Sequence, residues 1–302
     1  MPDIDLSIIV VVFNMQREAP RTLHSLSCRY QRDVQSLNYE VIVVDNGSAQ
    51  PLPAALMAEL GPEFRYLQMD HPSASPAAAI NTAAATARGR LLGIMIDGAR
   101  ILSPGVLVSA VRASRLAEHP VVYTLGWHLG HDLQSRAATT GYNQTVEDQL
   151  LESIAWPADG YRLFDIATQA PNSNKGWLFP PGESNCLVLR RDDFQQLGGY
   201  DPAFDLPGGG LVNQDFFHRA VEMPGAVPVV LLGEGSFHQV HGGAMTGADP
   251  AAAEERFALY KQQYQRLRGK PFGRPVFDPL LLGQLPGPAV RFLRKSLAIG
   301  AV

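Results

Sequence analysis

The sequence predicts an α/β protein with a mostly parallel, twisted sheet that is flanked by helices. Three apolar runs support this prediction, over residues 6–13, 39–44 and 91–96, and each run ends at polar residues. None of the runs has helical spacing, and short runs of this kind are typical of strands buried on both faces. Helical segments separate them, which favours right-handed βαβ units and therefore parallel strands.

The composition is that of a globular protein, with 46% hydrophobic and 18% charged residues. A net charge of −4 gives no general electrostatic footprint for nucleic acid, so we expect no nucleic-acid partner. Cys28 and Cys186 are the only cysteines and lie far apart, which argues against a disulfide framework and favours a reducing compartment. The sequence contains no recognisable signal peptide or membrane-spanning run, and we therefore expect a cytoplasmic protein.

Besides the apolar runs, the first 125 residues contain three predicted helices and two further predicted strands. The evidence is apolar spacing, an alanine-rich run that ends at Arg88-Gly89, and the pair Ser103-Pro104, which resembles a helix N-cap and first turn. The predicted helices cover residues 18–28, 77–87 and 103–116. The further strands cover residues 64–68, which is the weaker pattern, and residues 120–125.

The rest of the chain is less regular. Residues 157–181 have no clear period, and residues 233–243 form an irregular stretch that carries His238 and His241. The predicted helices of this part cover residues 137–154, 192–197, 213–222, 250–268 and 290–299, and the predicted strands cover residues 184–190 and 227–232.

We predict a single domain over residues 1–270, followed by a proline-rich C-terminal extension over residues 271–302 with a short basic helix. Arg291, Arg294 and Lys295 stand beside apolar residues in that helix. A basic, partly apolar helix indicates contact with a membrane surface or a protein partner. Packing back onto the domain is the alternative.

Three loops follow the predicted buried strands at the carboxyl edge of the sheet, where ligands bind in open α/β proteins. They contain Phe13-Asn14, Asp45-Asn46-Gly47-Ser48 and Asp97-Gly98-Ala99. One Asp there can accept hydrogen bonds from a nucleobase or ribose, and another can hold a cation that bridges phosphates. An Asx-turn at Asp45 and a capped turn at Asp97 are the structural alternatives. A dinucleotide site is not expected, because no glycine-rich loop follows the first strand.

Five segments in this order resemble glycosyltransferase family 2: LSIIVVVFN, EVIVVDNGS, N-x-A-x-x-x-A-x-G at 81–89, the strand before Asp97, and LGGYDPAF. The resemblance covers residues 6–243 and implies the GT-A fold. It also implies a nucleotide-sugar-binding half over about residues 1–125 and an acceptor-binding, catalytic half over about residues 126–270. The implied donor is a nucleoside diphosphate sugar, UDP-linked, and the implied acceptor is a saccharide or another hydroxyl compound.

The resemblance also implies roles for individual residues. Positions matching the D-x-D motif, 97–99, would bind a divalent cation, Mn²⁺ or Mg²⁺, and the diphosphate. Asp215, in GGGLVNQDFFHRA, would be the general base that takes the acceptor proton in an inverting reaction. The nucleotide-binding positions that the resemblance implies are Phe13, Asn14, Asp45 and Asn81.

The sequence departs from the family pattern at two positions. Ala99 stands where the second carboxylate of the D-x-D motif belongs, and Gln214 replaces the usual Glu. Losing a carboxylate weakens a site for a hard cation, so either the metal needs another ligand or Asp97 acts through water. His238 and His241 are the candidates, and imidazole together with carboxylate suits manganese. We favour His241, because Gly242-Gly243 beside it permit a close approach.

Two other functions are compatible with this sequence. A non-catalytic module that binds nucleotide sugars would explain both departures from the pattern. A nucleotidyltransferase shares a similar α/β core but needs a basic, glycine-rich loop after the first strand, and FNMQRE is a poor match to it.

Overall fold

The computed structural model of the protein describes residues 4–137, 141–242 and 250–300. One sheet runs through these residues. Its strands are β1 (Leu6–Val12), β2 (Tyr39–Asp45), β3 (Phe64–Gln68), β4 (Leu91–Met95), β5 (Arg100–Leu102), β6 (His119–Leu129), β7 (Ala167–Gln169), β8 (Leu187–Arg190), β9 (Ala226–His238) and β10 (Leu280–Gly283). The strand order is β10-β9-β6-β8-β4-β1-β2-β3, with β5 paired to β9 and β7 paired to β6.

Helices cover both faces of this sheet. They are α1 (Ala19–His24), α2 (Ala54–Leu60), α3 (Ala77–Thr86), α4 (Val106–Ala113), α5 (Gln134–Ala137), α6 (Gln144–Ser153), α7 (Arg191–Gln196), α8 (Val212–Val221), α9 (Pro250–Arg268) and α10 (Val290–Gly300). Alternate residues of β1 belong to two separate apolar cores, Ile9 and Val11 to one, Ile8 and Val10 to the other. The apolar runs of the sequence are therefore strands buried on both faces, as predicted.

The sheet is mostly parallel, which confirms the predicted α/β class. Strands β1, β2, β3 and β4 pair in parallel, and so do β6, β9 and β10. Strand β8 lies between β4 and β6 and runs antiparallel to both. The two parallel groups consequently point the same way, so the carboxyl ends of β1, β2, β4, β6 and β9 lie at one edge.

The prediction that a helix begins at Ser103 was wrong for the first turn of that helix. Arg100–Leu102 is strand β5, which pairs with the end of β9, and helix α4 begins only at Val106. The Ser103 hydroxyl caps no helix and donates instead to the buried carboxylate of Glu234. A local cap signal was overridden here by pairing with a strand more than a hundred residues later.

Strand β9 is also longer than its apolar run. The run predicted a strand that ends at residue 232, but β9 continues to His238 because β5 and β6 pair with its second half. Two shorter helices, α5 and α6, replace the single helix predicted over residues 137–154, and residues 138–140 between them lie outside the described residues.

The C-terminal extension packs on the domain. Strand β10 pairs in parallel with β9, and Phe292 of α10 is buried with its ring 5.8 Å from that of Trp127. The Arg291 guanidinium donates to the backbone carbonyls of Phe164 and Ala167. Arg294 and Lys295 are not buried. Contact with a membrane surface or a partner stays a prediction, as does the division of the chain into two functional halves.

Among the described residues, no helix has both the length and the apolar character that a membrane span needs.

The glycine that ends the segment N-x-A-x-x-x-A-x-G has a clear structural reason. The Gly89 backbone N–H donates to the Ser7 hydroxyl over 2.7 Å, as the chain passes from α3 into β4. A Cβ at residue 89 would lie 2.4 Å from the Ser7 backbone nitrogen. Only a residue without a side chain lets the backbone approach β1 this closely.

We therefore expect Gly89→Ala to destabilise the fold by about 1–3 kcal/mol, the usual range for overpacking against groups that cannot move aside. Gly273→Ala is the matched control, because a Cβ added at residue 273 would have no other atom within 4 Å. Chemical denaturation of the two variants and the wild type measures the difference. Equal midpoints for the two variants would show that β1 tolerates the added methyl group.

Candidate active site

A cluster of three metal-ligating side chains lies at the carboxyl edge of the sheet. Asp97 follows β4, and the pairing of β5 with β9 sets Arg100 opposite His238, which brings that histidine to Asp97. The His238 Nε2 atom is 3.1 Å from Asp97 Oδ2, and His241 Nε2 is 3.8 Å from Asp97 Oδ1. Residues far apart in the sequence thus form one candidate metal site.

The geometry of this cluster fits a divalent cation. One ligand atom from each of Asp97, His238 and His241 lies within 4.8 Å of the others. The two Nε2 atoms are 3.1 Å apart. Two ligand atoms that are each about 2.1 Å from one ion have about this separation when they bind at a right angle. A carboxylate with two imidazoles is a donor set suited to Mn²⁺ and similar metals.

Gln134 holds His238 in the form that a metal requires. The Gln134 Oε1 atom accepts a hydrogen bond from His238 Nδ1 over 2.6 Å, and its Nε2 donates to the His238 carbonyl. With the proton on Nδ1, the lone pair of Nε2 faces Asp97 and is free to bind a metal. Burial lowers the pKa of His238 to about 4, assisted by the charge of Arg100, so the ring is neutral at pH 7.

Asp97 is a carboxylate in this setting. Burial opposes its ionisation, but the neighbouring His241 and Arg100 outweigh that effect and hold the pKa of the carboxyl well below its usual range. The Ala99 backbone N–H donates to Asp97 Oδ1 as well. The side chain of Ala99 is a buried methyl group, which has no ligand atom to offer.

The loop after β9 is anchored by a buried carboxylate. Glu147 of α6 accepts hydrogen bonds from the Val240 backbone N–H and from the Arg17 guanidinium. Burial raises the pKa of Glu147 to about 7. An open pocket of about 450 Å³ lies beside this anchor and contacts the metal cluster. It is lined by Tyr142, Asn143, Gln144, Thr145, Val240, His241 and Gly242. Gly243, the second glycine beside His241, lies outside the described residues.

The loops after β1 and β2 meet as predicted. Asn14 adopts a positive φ of 53°, its backbone N–H donates to the Ser48 hydroxyl, and its side chain accepts from Ala49. Phe13 is 53% exposed, which leaves an aromatic face open at this edge. The side chain of Asp45 is buried, and its oxygens accept from Ser48 N–H and the Tyr66 hydroxyl. The Asp45 carboxylate therefore holds the turn after β2 through the N–H three residues on, one residue further along than in an Asx-turn.

The hydrogen bonds of the Asn81 side chain lead to a different part of the fold. Its side-chain amide donates to the carbonyl of Tyr200 and accepts from the N–H of the same residue. Both hydrogen bonds join α3 to the turn that contains Gly198-Gly199-Tyr200-Asp201. This arrangement gives Asn81 a structural task, and its role in nucleotide binding stays a prediction.

Asp215 also has structural partners. It is the fourth residue of α8 and is 1% exposed. Its carboxylate accepts from Arg219 over 2.9 Å and from both the Nε and Nη2 atoms of Arg268 in α9. A second carboxylate nearby has no cationic partner in the described residues: Glu183 is half-buried and accepts only from the amides of Asn172 and Asn213.

Three contributors to the site were not recognised in the sequence. Gln134 and Glu147 act through contacts with residues about a hundred positions away, and no local pattern marks them. Arg100 follows the motif Asp97-Gly98-Ala99 directly, so its position next to the motif was the signal that could have identified it.

The sequence of the N-terminal part matches a known family. Residues 7–139 match the family model described as glycosyl transferase family 2. O-antigen biosynthesis protein RfbC of Myxococcus xanthus is 26% identical over 209 residues, which make up 67% of this chain and 15% of that protein. The chain thus spans a small part of this relative's length.

Solved structures share the fold. S. aureus TarS 1–349 in complex with UDP-GlcNAc has a TM-score of 0.54 at 13% identity, covering 87% of this chain and 67% of that one. Mannosyltransferase PcManGT from Pyrobaculum calidifontis, in complex with GDP-Man and Mn²⁺, has a TM-score of 0.52 at 16% identity, covering 96% and 68%. Another TarS structure is longer, and this chain covers 40% of it. The predicted GT-A fold is confirmed.

The contacts of Gln134 lead to a prediction about metal affinity. Gln134→Leu removes the acceptor for the Nδ1 proton of His238, so the ring is no longer held with Nε2 facing Asp97. We expect Mn²⁺ affinity, measured by titration calorimetry with and without UDP, to fall about 10–100-fold.

Gln134→Glu is the matched control, because it keeps an acceptor at this position, and it should retain most of the affinity. Thermal melting establishes that both variants fold. Equal Mn²⁺ affinity of the Leu variant and the wild type would mean that His238 is not a metal ligand or needs no orienting partner.

Proposed function

We propose that this chain, a glycosyltransferase family 2-like protein with the GT-A fold, transfers a sugar from a nucleoside diphosphate donor to an acceptor hydroxyl. The observation that carries the proposal is the position of the Asp97, His238 and His241 cluster at the same sheet edge as the loops of Asn14 and Asp45. A nucleotide on those loops would extend its diphosphate toward the cluster. The RfbC similarity and the nucleotide-sugar complexes of TarS and PcManGT support this reading.

The proposed cation, Mn²⁺ or Mg²⁺, would be held by Asp97, His241 and His238. When bound, it would neutralise negative charge that develops on the leaving diphosphate. The protein's own contribution is to orient the ligands: Gln134 holds His238, and Glu147 anchors Val240 next to His241. Two imidazoles favour Mn²⁺ over Mg²⁺, because Mg²⁺ prefers oxygen ligands.

We propose that the donor is UDP-linked and that Phe13 and Asn14 contact its base. Phe13 offers an exposed ring for stacking, and Asn14 shapes the loop through its hydrogen bonds to residues 48 and 49. We propose that the Asp45 carboxylate accepts a hydrogen bond from the base. The base would then have to replace Tyr66 or Ser48 as a donor to Asp45. Asn81, in helix α3, would also contact the nucleotide.

The proposed reaction is inverting, with Asp215 as the base that takes the acceptor proton. Its position at the start of α8, after Gly208-Gly209-Gly210, supports access for an acceptor to this backbone. For Asp215 to accept a proton, Arg268 has to move away, because arginines occupy both carboxylate oxygens.

Release of UDP from UDP-sugars tests the transferase proposal. We expect Mn²⁺-dependent turnover that Asp97→Ala abolishes, since the only carboxylate of the cluster is lost. His241→Ala should raise the Mn²⁺ requirement about tenfold or more, equivalent to about 1.4 kcal/mol of binding free energy. His131→Ala, a change at an exposed histidine, is the control and should behave as the wild type.

The outcomes separate the candidate functions. Tight UDP-sugar binding without turnover on any acceptor would identify a binding module, and turnover with GDP-mannose alone would correct the nucleotide. Full activity of His241→Ala at unchanged Mn²⁺ would leave Asp97 and His238 as the only protein ligands.

Two isosteric changes test the base. If Asp215 takes the proton, Asp215→Asn should lower kcat, measured per folded protein, about 100-fold or more while UDP affinity changes little. The melting temperature should fall, because Arg219 and Arg268 lose the charge that they contact. A kcat that falls only with the folded fraction would instead assign Asp215 to the arginine cluster. Glu183→Gln is the matched variant, since it changes the neighbouring carboxylate that has only amide partners. Loss of kcat in that variant alone would move the base to Glu183.

A further inference from the structure

Arg100 is a buried cation beside the candidate metal cluster. It is 8% exposed and lies on β5, where it is the register partner of His238. Its Nε atom is 3.4 Å from Asp97 Oδ2. A guanidinium stays charged under all physiological conditions, so this position carries a full positive charge at the centre of the site.

Two of the three guanidinium nitrogens of Arg100 lack acceptors among the described residues. Neither its Nε atom nor its Nη1 atom has a hydrogen-bond partner there, although both atoms are buried. The contact with Asp97 is longer than an ordinary N–H···O hydrogen bond. Leaving charged donors buried and unpaired is costly, and such groups in native proteins usually serve a ligand or a bound water.

The charge of this site differs from that of a D-x-D motif with two carboxylates. Ala99 removes one negative charge, and Arg100, one residue later, adds a positive charge. Asp97 and Arg100 together are neutral. Such a site attracts a divalent cation less and a diphosphate more than two carboxylates do, because like charges repel and opposite charges attract at these short distances. The planar guanidinium also matches two phosphate oxygens at once.

We propose that Arg100 binds the diphosphate of the nucleotide donor directly, next to the cation held by Asp97 and the histidines. This inference rests on the proposed function, since it takes a nucleoside diphosphate as the ligand. Arg100 would then supply part of the positive charge at the leaving group, so that UDP binding depends less on metal than in a site with two carboxylates.

A purely structural role for Arg100 predicts the opposite behaviour. If the guanidinium only balances Asp97, then its removal frees the carboxylate for the cation. Mn²⁺ would bind more tightly, and UDP would bind equally well or better. The two roles therefore differ in the sign of the change in UDP affinity.

The experiment measures UDP binding to the full chain by titration calorimetry in EDTA and in Mn²⁺, for wild type, Arg100→Met and Arg90→Met. Methionine keeps much of the length of the side chain without its charge. Arg90 is the matched control, because it is exposed and precedes β4 at the opposite end of the strand from Asp97. Uridine binding, followed by saturation-transfer NMR, reports on the base site alone.

We expect Arg100→Met to weaken UDP binding in EDTA about tenfold or more, with uridine binding unchanged and Arg90→Met equal to the wild type. Unchanged or tighter UDP binding by Arg100→Met would overturn the proposal. If that variant does not fold, Arg100→Lys is tested with inorganic pyrophosphate, whose affinity should fall severalfold because lysine lacks the planar fork. A pyrophosphate affinity equal to that of the wild type would overturn the proposal in that case.

Failure of the proposed function gives a different result. If the wild type binds neither UDP nor GDP in Mn²⁺, then the nucleotide-donor proposal is wrong, and with it the ligand assigned to Arg100. If the wild type binds a nucleotide and Arg100→Met binds it equally well, only the role of Arg100 is wrong.

Discussion

The candidate site depends on one pairing, that of β5 with the end of β9. Register partners Arg100 and His238 place the residues after Asp97 against the last residues of the long strand. The Gln239 backbone N–H donates to the Ala99 carbonyl and continues this contact beyond β9. Without the pairing, Asp97 would be a lone carboxylate in a turn, and the two histidines would lie on a separate loop.

The ligands are supported by residues that do not face the metal position. The Gln134 side chain fixes the proton of His238 on Nδ1. The backbone N–H of Gln134 donates to the ring of His128, which is the register partner of His238 in the pairing of β6 with β9. Burial lowers the pKa of His128 to about 3, so this ring adds no positive charge to the cluster. The site thus combines one carboxylate, one guanidinium and three imidazoles, and burial keeps those of His238 and His128 neutral. This balance differs from that of two adjacent carboxylates.

A comparison of the two predicted functional carboxylates illustrates the limits of sequence motifs. Asp97 has the environment that its motif implies, because histidines converge on it. Asp215 matches its motif equally well, yet its oxygens are occupied by Arg219 and by Arg268, 53 residues further along the chain. The motif predicts which residue type stands at a position but not which charges surround it, and those charges decide whether a carboxylate binds metal, takes a proton or holds helices together.

The sequence by itself determined the α/β class, the buried strands β1, β2 and β4, and the polar residues at their carboxyl ends. Those features follow from local patterns, since an apolar run flanked by polar residues has few other stable arrangements. Only the tertiary structure decided that residues 100–102 form a strand, that β9 reaches His238, and that Gln134 belongs to the site. Each of these depends on contacts between segments separated by roughly a hundred residues, and the free energy of such contacts overrides the local propensity of a short segment.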